Sequence, residues 1–159
     1  MNIQTNIKAE DKLYWFGNTL IAIRLASASG ADGLSVVEHW MPYGEAPPLH
    51  VHHNEDEVFH ILDGVMRFEV DGREVIGRAG DTLIAPKGVP HAFRVESLSG
   101  ARCLTLMRGA DFETMLREAS RPAPGPELPP AVVPTPGMID SLVAACARNH
   151  IAIIGPPLA

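Results

Sequence analysis

The chain has 159 residues, of which 46% are hydrophobic and 20% charged, and its formal net charge at pH 7 is -6. These proportions are typical of one folded domain and exclude an intrinsically disordered chain. The negative charge, in the absence of a basic cluster, argues against a surface for nucleic acid or acidic membranes. We therefore expect a small molecule or another protein as the partner.

The N-terminal residues 1–15 carry no apolar stretch behind a basic start, and no segment reaches the roughly twenty apolar residues of a membrane helix. A cytoplasmic protein without a membrane span is the expectation. Cys103 and Cys146 lie far apart and outside any metal-ligand spacing, so both are predicted to be buried thiols.

Short apolar runs fill residues 13–106 and are separated by Gly, Pro and Asp-Gly turns, a pattern typical of an all-β sandwich or barrel. Tight hairpin turns are predicted at Asp63-Gly64 and Asp71-Gly72, because such dipeptides supply positive φ angles. Apolar and polar residues alternate along residues 65–70, which predicts a strand with one buried face.

The spacing of apolar residues predicts a short helix after the β region, with Asp111 as its N-cap. The proline-rich residues 121–137 predict an extended linker. Helical spacing resumes at Ile139, behind Thr135 as N-cap and Pro136 at the first helical position. We expect this apolar helix to dock on its own barrel or on a partner subunit, and a homodimer is the expected assembly.

The richest chemistry lies in residues 44–64, with the sequence GEAPPLHVHHNEDEVFHILDG. His50 and His52 share one face of a strand, and two neutral imidazoles on one face can bind a divalent metal. Glu57 heads a core-facing row, where an ionised carboxylate needs a partner. His91 is a candidate fourth ligand. The alternative interpretation is a solvated loop with an incidental His-x-His pattern.

Two stretches resemble the two motifs of the cupin superfamily. The first motif, a glycine, five residues, His-x-His, three or four residues, Glu, six residues and a glycine, matches residues 44–64 throughout. The second motif, a glycine, five residues, Pro-x-Gly, two residues, His, three residues and Asn, matches residues 80–95, except that Val95 stands in place of Asn. The resemblance implies the small conical cupin β-barrel, a jelly-roll-like double-stranded β-helix, which holds one metal through His50, His52, Glu57 and His91.

The stretch PPLHVHHNEDEVF in a single-domain chain further resembles the quercetin 2,3-dioxygenase-like branch. That resemblance implies a metal-dependent oxygenase acting on a small apolar or aromatic oxygen-bearing compound, with Glu57 serving as both ligand and catalytic base. The implied cofactor is one divalent transition metal per chain, Fe, Mn, Ni, Cu or Zn. Two alternatives stay open: a metal-dependent isomerase, decarboxylase or hydrolase, and a non-catalytic binding or sensing module.

Several further polar residues compete for roles in the site. Glu38 and His39 are adjacent in the strand that leads into the first motif, so one of them must face inward. Glu38 falls on a face with apolar neighbours and is a candidate second cavity carboxylate, usable as a proton acceptor, or else a barrel-rim salt bridge. His53 and His60 alternate to the exterior of their strands. Glu55 and Asp56 are expected to be solvated, and Glu55 is the alternative carboxylate ligand if the strand register slips by two.

The predicted organisation is a barrel domain over residues 1–120, a proline-rich linker over 121–137, and a C-terminal helix and tail over 138–159. His150, in the tail, is expected to be an ordinary surface residue. Inward positions of the strands are expected to line an apolar substrate pocket, which suits a hydrophobic small molecule better than a sugar phosphate. These pocket residues are Phe59, Ile61, Met66, Phe68, Phe93 and Val95.

Overall fold

The structure is a computed structural model and describes Lys8 and residues 11–159. This part of the chain forms two antiparallel β-sheets and two α-helices. The predicted all-β cupin architecture is confirmed. The expectation about the N-terminal start depends partly on residues 1–7, 9 and 10, which lie outside the described residues. Among the described residues, no helix combines the length and apolarity needed to cross a membrane.

Twelve strands and two α-helices follow one another along the described chain. Their bounds, in chain order, are β1 Leu13–Phe16, β2 Thr19–Leu25, β3 Leu34–Met41, β4 Pro48–His52, β5 Glu57–Asp63, β6 Val65–Val70, β7 Arg73–Arg78, β8 Thr82–Ala85, β9 His91–Val95, β10 Ala101–Arg108, α1 Asp111–Ala119, β11 Arg121–Pro122, α2 Pro136–Arg148 and β12 Ile151–Pro157.

The strands form a larger sheet in the order β11-β1-β2-β3-β10-β5-β8 and a smaller sheet in the order β12-β4-β9-β6-β7. In the smaller sheet, β4 lies between β12 and β9, so that His50 pairs with His91 on one side and with Ile153 on the other. The strand that carries His50 and His52 is therefore paired with a neighbouring strand on each side.

The two Asp-Gly dipeptides have different structural roles. Asp71 and Gly72 have φ angles of 52° and 70° and close the predicted hairpin between β6 and β7. Asp63-Gly64 does not close a hairpin, because β5 and β6 belong to different sheets. Gly64, with φ of 87°, instead carries the chain across from one sheet to the other where Gly100 lies too close to admit a side chain. The positive φ angle was predicted correctly, but the strand pairing was not.

The two predicted helices are present, and their N-termini differ. Thr135 caps α2 as predicted, because its Oγ1 accepts a hydrogen bond from Met138 N at 3.3 Å and Pro136 occupies the first turn. Asp111 does not cap α1; the residue before it, Ala110, occupies the cap position without a side-chain bond. The acceptor that α1 lacks locally comes from a distant glutamate near the metal ligands.

Residues 123–135 of the predicted linker contain neither helix nor strand and pack along the outer face of the larger sheet, whereas Pro136 and Gly137 are the first residues of α2. Trp15 Nε1 donates a hydrogen bond to Glu127 O at 2.9 Å, and Val132 N donates to Asn18 Oδ1 at 3.0 Å. The segment therefore covers the outside of β1 and β2 and does not act as a free linker.

The C-terminal helix docks on its own barrel, one of the two outcomes expected. Cys146 on α2 packs in one apolar cluster with Leu116 on α1 and with Ile151. The residues after α2, expected as a tail, form β12 and extend the smaller sheet beside β4. Both cysteines, Cys103 and Cys146, are buried as predicted.

Candidate metal centre

Four predicted ligands come together between the two sheets. His50 and His52 project from β4, His91 begins β9, and Glu57 begins β5 in the facing sheet; one ligand atom from each lies within 4.8 Å of the others. The Nε2 atoms of His50, His52 and His91 lie 4.0, 3.2 and 2.9 Å from Glu57 Oε2. The ligands that the two sequence motifs contribute thus form a single cluster.

Backbone carbonyls orient two of the three imidazole rings. His50 Nδ1 lies 2.7 Å from Pro48 O, and His91 Nδ1 lies 3.1 Å from Val89 O. A carbonyl oxygen only accepts, so both rings donate from Nδ1, which leaves Nε2 as the nitrogen that faces Glu57 and would bind a metal.

His52 provides the strongest sign that a cation belongs here. Its side chain is 2% exposed, and neither ring nitrogen has a hydrogen-bond partner among the described residues. A buried, unsatisfied polar group is costly, and lone pairs that converge on a carboxylate repel one another unless a positive charge lies between them. A metal ion would satisfy Nε2 of His52 and screen the carboxylate at the same time.

The electrostatics of the cluster suit a bound cation. Burial alone would raise the pKa of Glu57, but the surrounding rings of His52, His50 and His91 outweigh it and hold this pKa well below its usual value. Burial lowers the pKa of His50, although Glu57 opposes that shift. Burial also acts to lower the pKa of His91, yet the hydrogen bond that its Nε2 makes to Glu57 raises this pKa overall. An ionised carboxylate and a neutral imidazole are the forms that bind metals.

The spacing of the donor atoms also fits one ion. Two ligands each about 2.1 Å from a metal lie about 3.0 Å apart at a right angle and about 4.2 Å apart on opposite sides. The distances from Glu57 Oε2 to the three histidine nitrogens, 2.9 to 4.0 Å, fall close to this interval. Three imidazoles and one carboxylate suit Fe, Mn, Ni, Cu or Zn, and a six-coordinate ion would retain two positions for other ligands.

Glu55, expected to be solvated, is 2% exposed and ties the ligand loop to α1. Its two carboxylate oxygens accept hydrogen bonds from Asp111 N and Phe112 N, each at 3.0 Å. Phe112 in turn meets the ring of His52 edge-on at 5.6 Å between centroids. Glu55 therefore caps α1 from a distance and is not the metal ligand; the register slip that would make it one does not occur. Asp56, by contrast, is exposed as expected.

Glu38 does not reach the cavity. It is buried, but on the outer face of β3, where its carboxylate accepts hydrogen bonds from Arg24 Nε at 2.6 Å and Arg102 Nε at 2.5 Å. Both guanidinium groups also lie over the ring of Trp40. The candidate catalytic carboxylate is therefore one partner of a structural ion-pair network, the alternative that the sequence left open.

Three other histidines, His53, His60 and His150, lie away from the metal cluster. His53 is exposed, and His60 lies on the outer face of β5, where Nδ1 is 2.8 Å from Thr82 Oγ1. His150 is at the surface, and its Nδ1 is 3.1 Å from Asp111 Oδ2. These placements follow from the alternation of side chains along each strand.

A cavity of about 70 Å³, the metal cavity, lies inside the barrel and is lined by two of the four ligands, His50 and Glu57. Of the six predicted pocket residues, Phe59 and Phe93 line it. The other four are at most 1% exposed and fill the apolar core, because inward side chains of a small barrel largely contact one another. These core residues are Ile61, Met66, Phe68 and Val95.

The metal cavity also has a polar side. Of the neighbours Glu38 and His39, one of which was expected to face inward, the histidine and not the glutamate does so. His39 Nε2 lies 2.9 Å from Thr105 Oγ1 on the cavity wall, and burial lowers the pKa of His39 to about 4, so this ring is neutral. Glu45 lines the cavity too, and burial raises its pKa, opposed in part by a hydrogen bond from Asn18. The position of Glu45, one residue after the first motif glycine, gave no pattern of faces from which to predict this.

Comparison with known proteins agrees with the motif assignment. Residues 37–107 match the family described as Cupin domain. The chain is 32% identical over 88 residues, 55% of its length, to quercetin 2,3-dioxygenase of Bacillus subtilis, and the match covers 26% of that enzyme. A Thermotoga maritima structure, titled a predicted oxalate decarboxylase, superposes with a TM-score of 0.59 and 21% identity, covering 64% of this chain and 96% of that one.

A second solved structure, an RmlC-like cupin from Shewanella frigidimarina, superposes with a TM-score of 0.53 and 19% identity, covering 64% of this chain and 86% of the other. At these identities the structures show a shared fold. The chain has the cupin fold, residues 37–107 match the Cupin domain family, and the His and Glu cluster is a candidate site for a metal ion. Its match spans about a quarter of the curated dioxygenase, which leaves the activity of this chain open.

Proposed function

We propose that this protein is a metal-dependent oxygenase that acts on a small oxygen-bearing compound. The observation that carries the proposal is the convergence of His50, His52, His91 and Glu57 on one point, with His50 and Glu57 lining a cavity beside it. A metal held there would offer open positions to oxygen atoms of a substrate and to dioxygen. Sequence similarity to quercetin 2,3-dioxygenase supports the same reaction class.

The size of the metal cavity favours a compact substrate. About 70 Å³ holds a few non-hydrogen atoms beside the ligands, far less than the several hundred cubic ångströms of an ordinary drug-sized pocket. Phe59, Phe93 and Phe112 form apolar walls that exclude water. We therefore propose a substrate nearer in size to a small diketone or a single ring than to a three-ring flavonol.

Side chains opposite the ligands would orient the substrate and carry protons. The neutral His39, paired with Thr105, offers a hydrogen bond to a substrate oxygen. Glu45 is the group best suited to move a proton, because burial raises its pKa toward the range useful in acid and base catalysis. Glu57 is less suited to that role, since the histidines hold its pKa well below the usual value.

Glu45 also favours a second candidate function, metal-assisted decarboxylation or isomerisation without dioxygen. Both reactions need a proton delivered to, or removed from, a substrate carbon, and a carboxyl group in the cavity supplies it. Consumption of dioxygen separates this candidate from the oxygenase.

The test is oxygen uptake by the full-length protein loaded separately with Fe(II), Mn(II), Ni(II) or Cu(II), with pentane-2,4-dione, catechol and quercetin as substrates. The proposal predicts uptake with at least one metal, faster with the two small compounds, and a large loss of turnover number in Glu45→Gln with metal content unchanged. Turnover of a substrate without oxygen uptake would favour the second candidate. Tight binding without turnover under any metal would identify a binding module and overturn the oxygenase.

A further inference from the structure

A second cavity lies beside the histidine pair, on the face of the smaller sheet that carries His50, His52, Ile151 and Ile153. It has a volume of about 70 Å³ and is enclosed by β4, β12 and the two helices. Apart from the rings of His50 and His52, its lining side chains are apolar or carry sulfur. Part of its wall comes from Met115 on α1, Leu142 and Cys146 on α2, and Ile151 and Ile153 on β12. We call it the helix cavity.

The helix cavity and the metal cavity share a partition. This partition consists of the four residues that line both cavities, Phe16, Pro47, His50 and Phe112. The two spaces differ in chemistry: the metal cavity carries Glu45, His39 and threonine hydroxyls, whereas the helix cavity offers no polar side chain besides the ligand rings. Burial raises the pKa of Cys146 to about 11, so its thiol is uncharged and adds to the apolar lining.

We propose that the helix cavity is an acyl or alkyl subsite, and that the substrate is an amphipathic molecule with an oxygen-bearing head at the metal and a short unbranched apolar chain in the helix cavity. This inference rests on the proposed function, because it assumes that the head binds at the metal. The chain would pass the partition between the rings of Phe16 and Phe112, the side chains common to both spaces.

Packing and chain order both support a ligand subsite at this position. An empty apolar cavity destabilises a protein in proportion to its volume, so a void held open by five side chains from three elements calls for an occupant. Segments outside the matched cupin region, α1, α2 and β12, build most of the wall. The C-terminal part of this chain would thus determine substrate specificity at a metal centre that the cupin motifs supply.

The test uses metal-chelating probes of graded chain length with the full-length protein loaded with Co(II). Acetohydroxamate, butyrohydroxamate, hexanohydroxamate and octanohydroxamate share one bidentate head and differ in their alkyl chains, and binding is followed by the visible spectrum of the cobalt. Each methylene that enters the apolar space should raise the affinity about fourfold until the space is full. Longer chains should then gain nothing.

Two filling variants and a matched control locate the chain. Leu142→Phe and Cys146→Leu each place bulk in the helix cavity, and either should cut the ratio of hexanohydroxamate to acetohydroxamate affinity by about tenfold or more, the loss of two methylenes. Val143→Phe adds a phenyl ring on the exposed face of the same helix and should leave that ratio at the wild-type value. Circular dichroism checks that each variant is folded, and the wild-type series alone is decisive if neither filling variant folds.

The outcomes separate this inference from the function it rests on. Failure of acetohydroxamate to bind the cobalt-loaded wild type would contradict the metal centre itself. Binding of acetohydroxamate with the same affinity as every longer probe would overturn the alkyl subsite and leave the metal centre standing. A chain-length gain that survives in a folded filling variant would place the chain elsewhere and would likewise overturn it.

Discussion

Removal of the Glu55 side chain tests how the ligand loop is held. In Glu55→Ala, the backbone N–H groups of Asp111 and Phe112 at the start of α1 lose the carboxylate oxygens that accept their hydrogen bonds. A buried N–H group without a partner costs about 1–3 kcal/mol, so we expect the free energy of unfolding to fall by about 2–4 kcal/mol. For a chain of this size, that corresponds to a fall in Tm of about 4–16 °C.

Glu55→Gln should fall between the wild type and the alanine variant, because an amide oxygen can accept from one of the two N–H groups while its NH2 faces the other. Chemical denaturation followed by circular dichroism measures the loss. Glu74→Ala is the matched control, since its carboxylate is exposed and 3.5 Å from Arg67, and such a pair is worth less than about 1 kcal/mol. A Glu55→Ala loss no larger than that of Glu74→Ala would refute the account of Glu55 as the distant cap of α1.

Three further predictions follow from other parts of the structure. Burial would raise the pKa of Glu113, but hydrogen bonds from Ser27 and Arg117 outweigh burial and hold this pKa below its usual 4.5. Relative to Glu113→Gln, the wild type should therefore be more stable above pH 4.5 and should lose that advantage as the pH falls through the lowered pKa. Urea unfolding at a series of pH values measures the difference. Glu38→Gln should lower the free energy of unfolding by about 2–4 kcal/mol, because it removes a negative charge between two arginines. Its metal content, measured by mass spectrometry, should stay at the wild-type level. Loss of the metal in this variant would show that Glu38 takes part in the metal site. A homodimer remains our proposal, and Ile76→Lys on the open edge of β7, where an apolar side chain is 44% exposed, should convert it to a monomer by light scattering; a monomeric wild type would contradict it.

The sequence carried enough information for the metal ligands because their geometry is local. Two histidines two apart in a strand share a face wherever the strand lies, and the motif spacing linked them to Glu57 and to His91. The same alternation placed His53 and His60 outside. Faces follow from short-range periodicity, which a sequence displays directly.

Features that depend on distant partners could not be predicted in this way. Glu55 stands in an acidic run, and its burial follows only from the helix that begins at Asp111. Glu38 looked like a cavity residue because its neighbours on the strand are apolar, but its face is covered by Arg24 and Arg102 from other strands. In both cases the sequence did not show which distant residues contact the carboxylate.

The C-terminal strand illustrates a further limit. The run Ile151–Ile154 is apolar, but a short apolar run does not distinguish a strand from a tail, and its pairing with β4 is decided by the docking of α2. For that reason the division into a barrel, a linker and a tail understated the C-terminal segment, which joins the sheet that holds His50 and His52.

Metal stoichiometry tests the central claim most directly. Full-length protein purified without added metal and measured by inductively coupled plasma mass spectrometry should contain about one transition-metal ion per chain, since three imidazoles and a carboxylate converge on one point. His52→Ala should lose that ion, and His53→Ala, which removes an exposed ring from the adjacent position, should retain it. Equal metal content in the wild type and both variants would contradict the centre described here.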